Sequence, residues 1–167
     1  MYDCILVPTD GSPEGERALE YAFELARTHD ATVKAIYVAN VASYGGLPME
    51  TAWEGIGEAL RSEGQGALAR VEELAPPDVA VETEILEGSP SQVIVREATP
   101  DSCDLVVMGT HGRGGIDRLL LGSVAERVVR QCPVPVLTVR LGEDEPIPES
   151  ERRAETAEGE TPEPSDV

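Results

Sequence analysis

Along the first 140 residues, short apolar runs alternate with stretches of helical period. Cys4-Ile5-Leu6-Val7 is an unbroken apolar run, as expected of a strand covered on both faces. Ser12-Pro13-Glu14 has the order of a helix start: a capping hydroxyl, proline at the first helical position and acid in the first turn. Ala18, Tyr21, Ala22, Leu25 and Ala26 continue that helix on one face. Residues 33–39 read as a second strand and 43–48 as a loop. Residues 50–74 predict a second helix with Trp53, Ile56, Leu60, Ala67, Leu68 and Val71 on one side, but Gly55, Gly57, Gly64 and Gly66 predict that it is broken or mobile. Residues 79–86 alternate as a third strand, and Ser89 with Gln92 predicts a capping box on a third helix. Residues 104–108 form a fourth strand that runs into a glycine-rich segment. Ser123 with Glu126 predicts a second capping box and a helix through Arg130, and 134–139 form a fifth strand.

Strands alternating with helices predict an α/β fold, a parallel sheet with helices on both faces. Ligands of such sheets bind beyond the carboxyl ends of the strands, where the winding reverses. Three places satisfy that rule: Thr9-Asp10, Val38-Ala39-Asn40, and Gly109 onward.

Composition narrows the function. The 167 residues suit one domain, and with 4% aromatics its core must be built from Val, Leu, Ile and Ala. There are 13 basic and 32 acidic residues, a net charge of −19, and Lys34 is the single lysine. That balance excludes a general grip on nucleic acid or anionic lipid. No apolar run approaches the roughly 20 residues of a membrane span, and the start has no basic leader region, so a cytoplasmic protein is expected. Past Gly142 the apolar period is lost. Residues 143–167 hold ten acids against Arg152 and Arg153, which predicts a domain over 1–142 and a disordered acidic tail over 143–167. Acid excess in the domain itself suggests a salt-rich, halophilic cytoplasm, the alternative being an ordinary acidic protein. Cys4, Cys103 and Cys132 are odd in number and far apart, and read as reduced thiols.

Most of the candidate chemistry lies in Met108-Gly109-Thr110-His111-Gly112-Arg113-Gly114-Gly115 and the following Gly122-Ser123-Val124. Glycines let a backbone approach a ligand, and a helix start offers free N–H groups and a partial positive charge. In so acidic a chain a phosphate needs such local features, and Arg113 adds another. A P-loop is excluded because Lys34 lies in a strand, the dinucleotide fingerprint because Asp117 stands where glycine is needed. No nucleophile elbow or zinc-spaced cluster occurs.

The spacing Gly109-x-x-Gly112, nine residues, Gly122-Ser123 resembles the nucleotide-binding motif of the universal stress protein family. The opening Ile5-Leu6-Val7-Pro8-Thr9-Asp10-Gly11-Ser12 and the closing Cys132-Pro133-Val134-Pro135-Val136-Leu137 resemble that family's first and last strands. The resemblance implies a five-stranded sheet in the order 3-2-1-4-5 and an ATP site. By it, Asp10 accepts from the ribose, Pro8 and Thr9 line the adenine side, and the backbone at Val38 reads the base edge. Met108, Gly109, Gly112 and Arg113 border ribose and phosphates, while Gly122, Ser123 and Val124 supply N–H groups and a hydroxyl. It allows Mg or Mn on the phosphates, with no protein ligand identifiable, and a homodimer through strand 134–139. Three functions follow: a nucleotide-dependent stress regulator with an unnamed protein partner, a dimeric interaction module with a vestigial pocket, or a slow ATPase. The last is weakest, since His111 is the only base near the loop not already assigned.

Overall fold

A computed structural model describes residues 1–40, 50–111 and 121–140, with the backbone alone over 50–54. The proposed tail and loop 43–48 therefore lie outside the described residues. Among the described residues nine elements follow one another: β1 (Cys4–Pro8), α1 (Pro13–His29), β2 (Thr32–Ala39), α2 (Glu50–Leu74), β3 (Val81–Glu87), α3 (Pro90–Glu97), β4 (Leu105–Gly109), α4 (Ser123–Gln131) and β5 (Val136–Val139). The strands form one sheet in the order β3-β2-β1-β4-β5, and every pair is parallel. β1 lies at the centre, with Ile5 opposite both Val33 and Leu105. Its Ile5, Leu6 and Val7 are wholly buried, as the unbroken apolar run requires.

Alternation along β1 sorts the core into two layers. Ile5 and Val7 pack with Leu19 and Phe23 of α1 and with Leu60, Leu68 and Val71 of α2. Leu6 faces the other way, against Ile94 of α3 and Val128 of α4. Helices thus cover both faces, and no described helix is long and apolar enough to cross a membrane. The three cysteines are free, and burial pushes the Cys103 thiol up to about 12.

Helix starts differ in instructive ways. At α1, Ser12 caps as expected, its Oγ accepting the Gly15 N–H at 3.2 Å with Pro13 next in line. At α3, Ser89 is the cap residue, but its side chain makes no cap hydrogen bond, so the expected box with Gln92 is absent. Pro90 follows it and carries no N–H, which removes one of the donors that a cap would satisfy. The helix is opened instead by the Val93 N–H donating to the Ser89 carbonyl at 2.9 Å. α2 runs unbroken through its four glycines. β5 begins two residues later than expected, although the Pro135 carbonyl already accepts the Val106 N–H at 2.9 Å.

Candidate functional site

The carboxyl ends of β1, β2 and β4 meet the start of α4 around one cavity of about 430 Å³. After β1, the Thr9 N–H still donates to the Ile36 carbonyl at 2.9 Å, and then the chain turns sharply. Asp10 Oδ1 accepts the Ser12 N–H at 3.0 Å and Thr9 Oγ1 the Gly11 N–H at 3.2 Å. Gly11 takes φ 75°, where a side chain would be strained. This turn holds Asp10, half-buried, against the cavity.

On the other side of β1, the end of β4 is pressed onto the first turn of α1. A Cβ on Gly109 would stand 3.0 Å from Glu14 Cβ and 3.1 Å from the His111 carbonyl. The next two residues are locked by Glu14, whose Oε2 accepts from Thr110 Oγ1 at 2.9 Å and from the His111 N–H at 2.7 Å. Thr110 also donates its N–H to the Val139 carbonyl, and its own carbonyl accepts the Gly122 N–H, each at 2.9 Å. The two ends of the glycine-rich segment are thereby tied together.

That tie decides how α4 begins. A Cβ on Gly122 would lie 2.9 Å from the Thr110 oxygen, so the residue must be glycine for the contact to form. Gly122 then becomes the cap residue, its carbonyl accepting the Glu126 N–H at 2.8 Å, and Ser123 becomes the first helical residue. The capping box expected of Ser123 and Glu126 is therefore absent, because the helix starts one residue earlier. Ser123 is exposed, and among the described residues no side chain caps the first N–H groups of α4.

Of the residues singled out in the sequence, Pro8, Thr9, Asp10 and Val38 line this cavity, as do Met108, Gly109, Gly122, Ser123 and Val124. Gly112 and Arg113 lie outside the described residues. Ile36, Pro90 and Ile94 also line it and were not singled out; the two-residue step from Ile36 to Val38 and the four-residue step from Pro90 to Ile94 are the patterns that reveal them. An apolar wall from Ile36, Val38, Ile94 and Met108 thus stands beside a carboxylate and an uncapped helix start. Such a site suits a ligand with a flat apolar body, hydroxyls and an anionic end. Among the described residues no three His, Cys, Asp or Glu side chains gather as a metal cage.

A parallel sheet in this order, with its cavity at the central switch point, defines a doubly wound α/β protein. Residues 1–140 match the model of the universal stress protein family, and the chain belongs to that family. A universal stress protein of Methanocaldococcus jannaschii is 47% identical over 141 residues, covering 84% of this chain and 83% of its own. Among solved structures, the universal stress protein UspA from Lactobacillus plantarum is 28% identical with a TM-score of 0.70, over 83% of this chain and 98% of its own. A universal stress protein crystallised in complex with cAMP has the same fold at 24% identity and a TM-score of 0.59, over 83% of this chain and 97% of its own.

Proposed function

We propose that the cavity binds ATP and that the chain acts in the cytoplasm as a nucleotide-dependent regulator of a stress response, through a protein partner. The observation that carries this reading is the convergence of separate segments on one cavity with chemically distinct ends. Its volume of about 430 Å³ is in the usual range for small-molecule sites, roughly 300–1,000 Å³. The residues fit an adenine nucleotide. Pro8, Thr9 and the Val38 backbone take the base, and Asp10 takes the ribose hydroxyls. Met108 and Gly109, with Gly112 and Arg113, border the ribose and phosphates. The N–H groups of Gly122 to Val124 and the Ser123 hydroxyl receive the phosphates. At Gly109 and Gly122 a Cβ would meet Glu14 and the Thr110 carbonyl, so both glycines hold the backbone that lines the cavity in place. A family member of the same fold is in complex with cAMP, which carries the same base and sugar. A Mg or Mn ion would be carried by the phosphate oxygens rather than by a protein cage.

Calorimetric titration with ATP, ADP, AMP and GTP tests this. Binding of adenine nucleotides in preference to GTP is expected; no binding of any of the four would remove the reading.

The exposed edge of the sheet favours a second feature, a homodimer. β5 is the last strand and Leu137 is 37% exposed on it. Antiparallel pairing of residues 134–139 about a two-fold axis would cover that edge. Light scattering should give a dimer, and Val136→Lys should shift it toward monomer.

A further inference from the structure

Of the chain's two histidines, His29 packs edge-on against Tyr2 at the end of α1, whereas His111 lines the cavity. The His111 side chain is 10% exposed, and its Nε2 is buried with no hydrogen-bond partner among the described residues. Its other nitrogen is engaged. Thr110 Oγ1 lies 2.9 Å from Glu14 Oε2 and 3.1 Å from His111 Nδ1. A hydroxyl has one proton and an ionised carboxylate has none, so Thr110 donates to Glu14 and must accept from Nδ1. Glu14 Oε1, at 3.6 Å from Nδ1, is beyond hydrogen-bond reach but places a carboxylate on that side. Nδ1 therefore carries the ring proton, which leaves Nε2 as the bare nitrogen.

A bare, buried, unpartnered Nε2 asks for an occupant. Beside it stands the start of α4. Cδ2, the ring carbon bonded to Nε2, is 3.8 Å from where a Gly122 Cβ would be, and the helix start there has no side-chain cap among the described residues. The helix start is complementary to an anion, and Nε2 becomes a donor to one only when it carries a proton.

We propose that His111 Nε2 takes up a proton from solvent when a nucleotide binds and donates it in a hydrogen bond to a phosphate oxygen. The inference rests on the nucleotide reading of the cavity. The groups around the ring are compatible with it. Glu14 of α1 faces Nδ1, and Asp10 lines the same cavity. On α4, Ser123 and Val124 bring N–H groups without charge, and Glu126 is paired with Arg130 at 3.0 Å. Pro90 and Ile94 of α3 and Met108 of β4 are uncharged. An imidazolium between Glu14 and the phosphate also relieves their mutual repulsion.

The full chain and His111→Gln are titrated with ATP from about pH 6 to about pH 8.5, across the imidazole range, in buffers of different ionisation enthalpy. Glutamine keeps an N–H donor but does not titrate. The wild type should take up protons that His111→Gln does not, and its affinity should fall more steeply with rising pH, by up to about tenfold per unit. Titration of the ATP phosphate is common to both proteins. Equal proton uptake in the two overturns the proposal while leaving ATP binding intact; absence of ATP binding in the wild type overturns the nucleotide reading and this inference with it. Nitrogen NMR of the free protein gives a readout that needs no variant. The Nδ1–H tautomer of His111 is expected, and the Nε2–H tautomer overturns the proposal.

Discussion

Asp10 has two tasks that one substitution can separate. Its Oδ1 accepts the Ser12 N–H and shapes the turn, while its charge serves the proposed ribose contact. Asp10→Asn keeps an acceptor for the turn and removes the charge. ATP affinity should fall by about 1–3 kcal/mol, the scale for hydrogen bonds to charged groups. The loss should shrink for a dideoxyribose analogue in the same calorimetric titration, and equal losses would take Asp10 out of the ribose role. Asp10, Gly109 and Gly122 were legible in the sequence because a strand-end acid and spaced glycines stand out along one dimension. The reason for Gly122 was only half legible, since the Thr110 carbonyl that excludes its side chain comes near only in the fold. Glu14 was not legible at all as a site residue. In sequence it is one more acid in a first helical turn, and its partners Thr110 and His111 lie 96 and 97 positions on.

At the scale of elements, the strands and the sheet they form were readable from apolar period, but α2 was misjudged. Propensity treats its four glycines alike, and the structure does not. A Cβ on Gly55, Gly57 or Gly66 meets nothing within 4 Å, whereas one on Gly64 would stand 2.6 Å from the Tyr37 ring. Gly64 lets the helix lie close to β2, and the burial of Leu60, Leu68 and Val71 outweighs the weak propensity of the other three. Gly66→Ala should therefore stabilise by about 0.5–1 kcal/mol in denaturant unfolding. Gly64→Ala should destabilise by about 1–3 kcal/mol through overpacking. Stabilisation by both would refute the close contact. A second element-scale feature ties β1 to the residue preceding β4. The Asp104 carboxylate accepts the Asp3 and Cys4 N–H groups at 2.7 and 3.0 Å, and these bonds hold its pKa below the usual carboxylate value. A depressed folded-state pKa means stability present above the unfolded value and lost as pH falls through the folded one. Asp104→Asn should thus melt below wild type at neutral pH, with the gap closing below about pH 4. A gap that persists in acid would mean that the charge is not what matters.

For the molecule as a whole, charge is the dominant property. With 32 acids against 13 bases, the carboxylates outnumber the cations available for surface pairs such as Arg61–Glu87 at 2.7 Å. Such pairs contribute about 0–1 kcal/mol each and do not offset the net repulsion. Raising salt from about 0.1 M to about 1 M shortens the screening length from about 10 Å to about 3 Å. The melting temperature should rise over that interval, and a flat or falling curve would refute the halophilic reading. The position of β1 has a further consequence at this scale. The strand that all else is built around comes first in the chain, and one of its two neighbours follows about a hundred residues later, Ile5 pairing with Leu105. On a ribosome, β1 to β3 can associate while the protein is still being made. One flank of the central strand nevertheless stays bare until β4 has emerged, and such an open edge is both slow to close and prone to join other chains. A nascent chain halted before β4 is thus a natural client for a chaperone and an easy target for a protease, whereas the finished chain buries that edge.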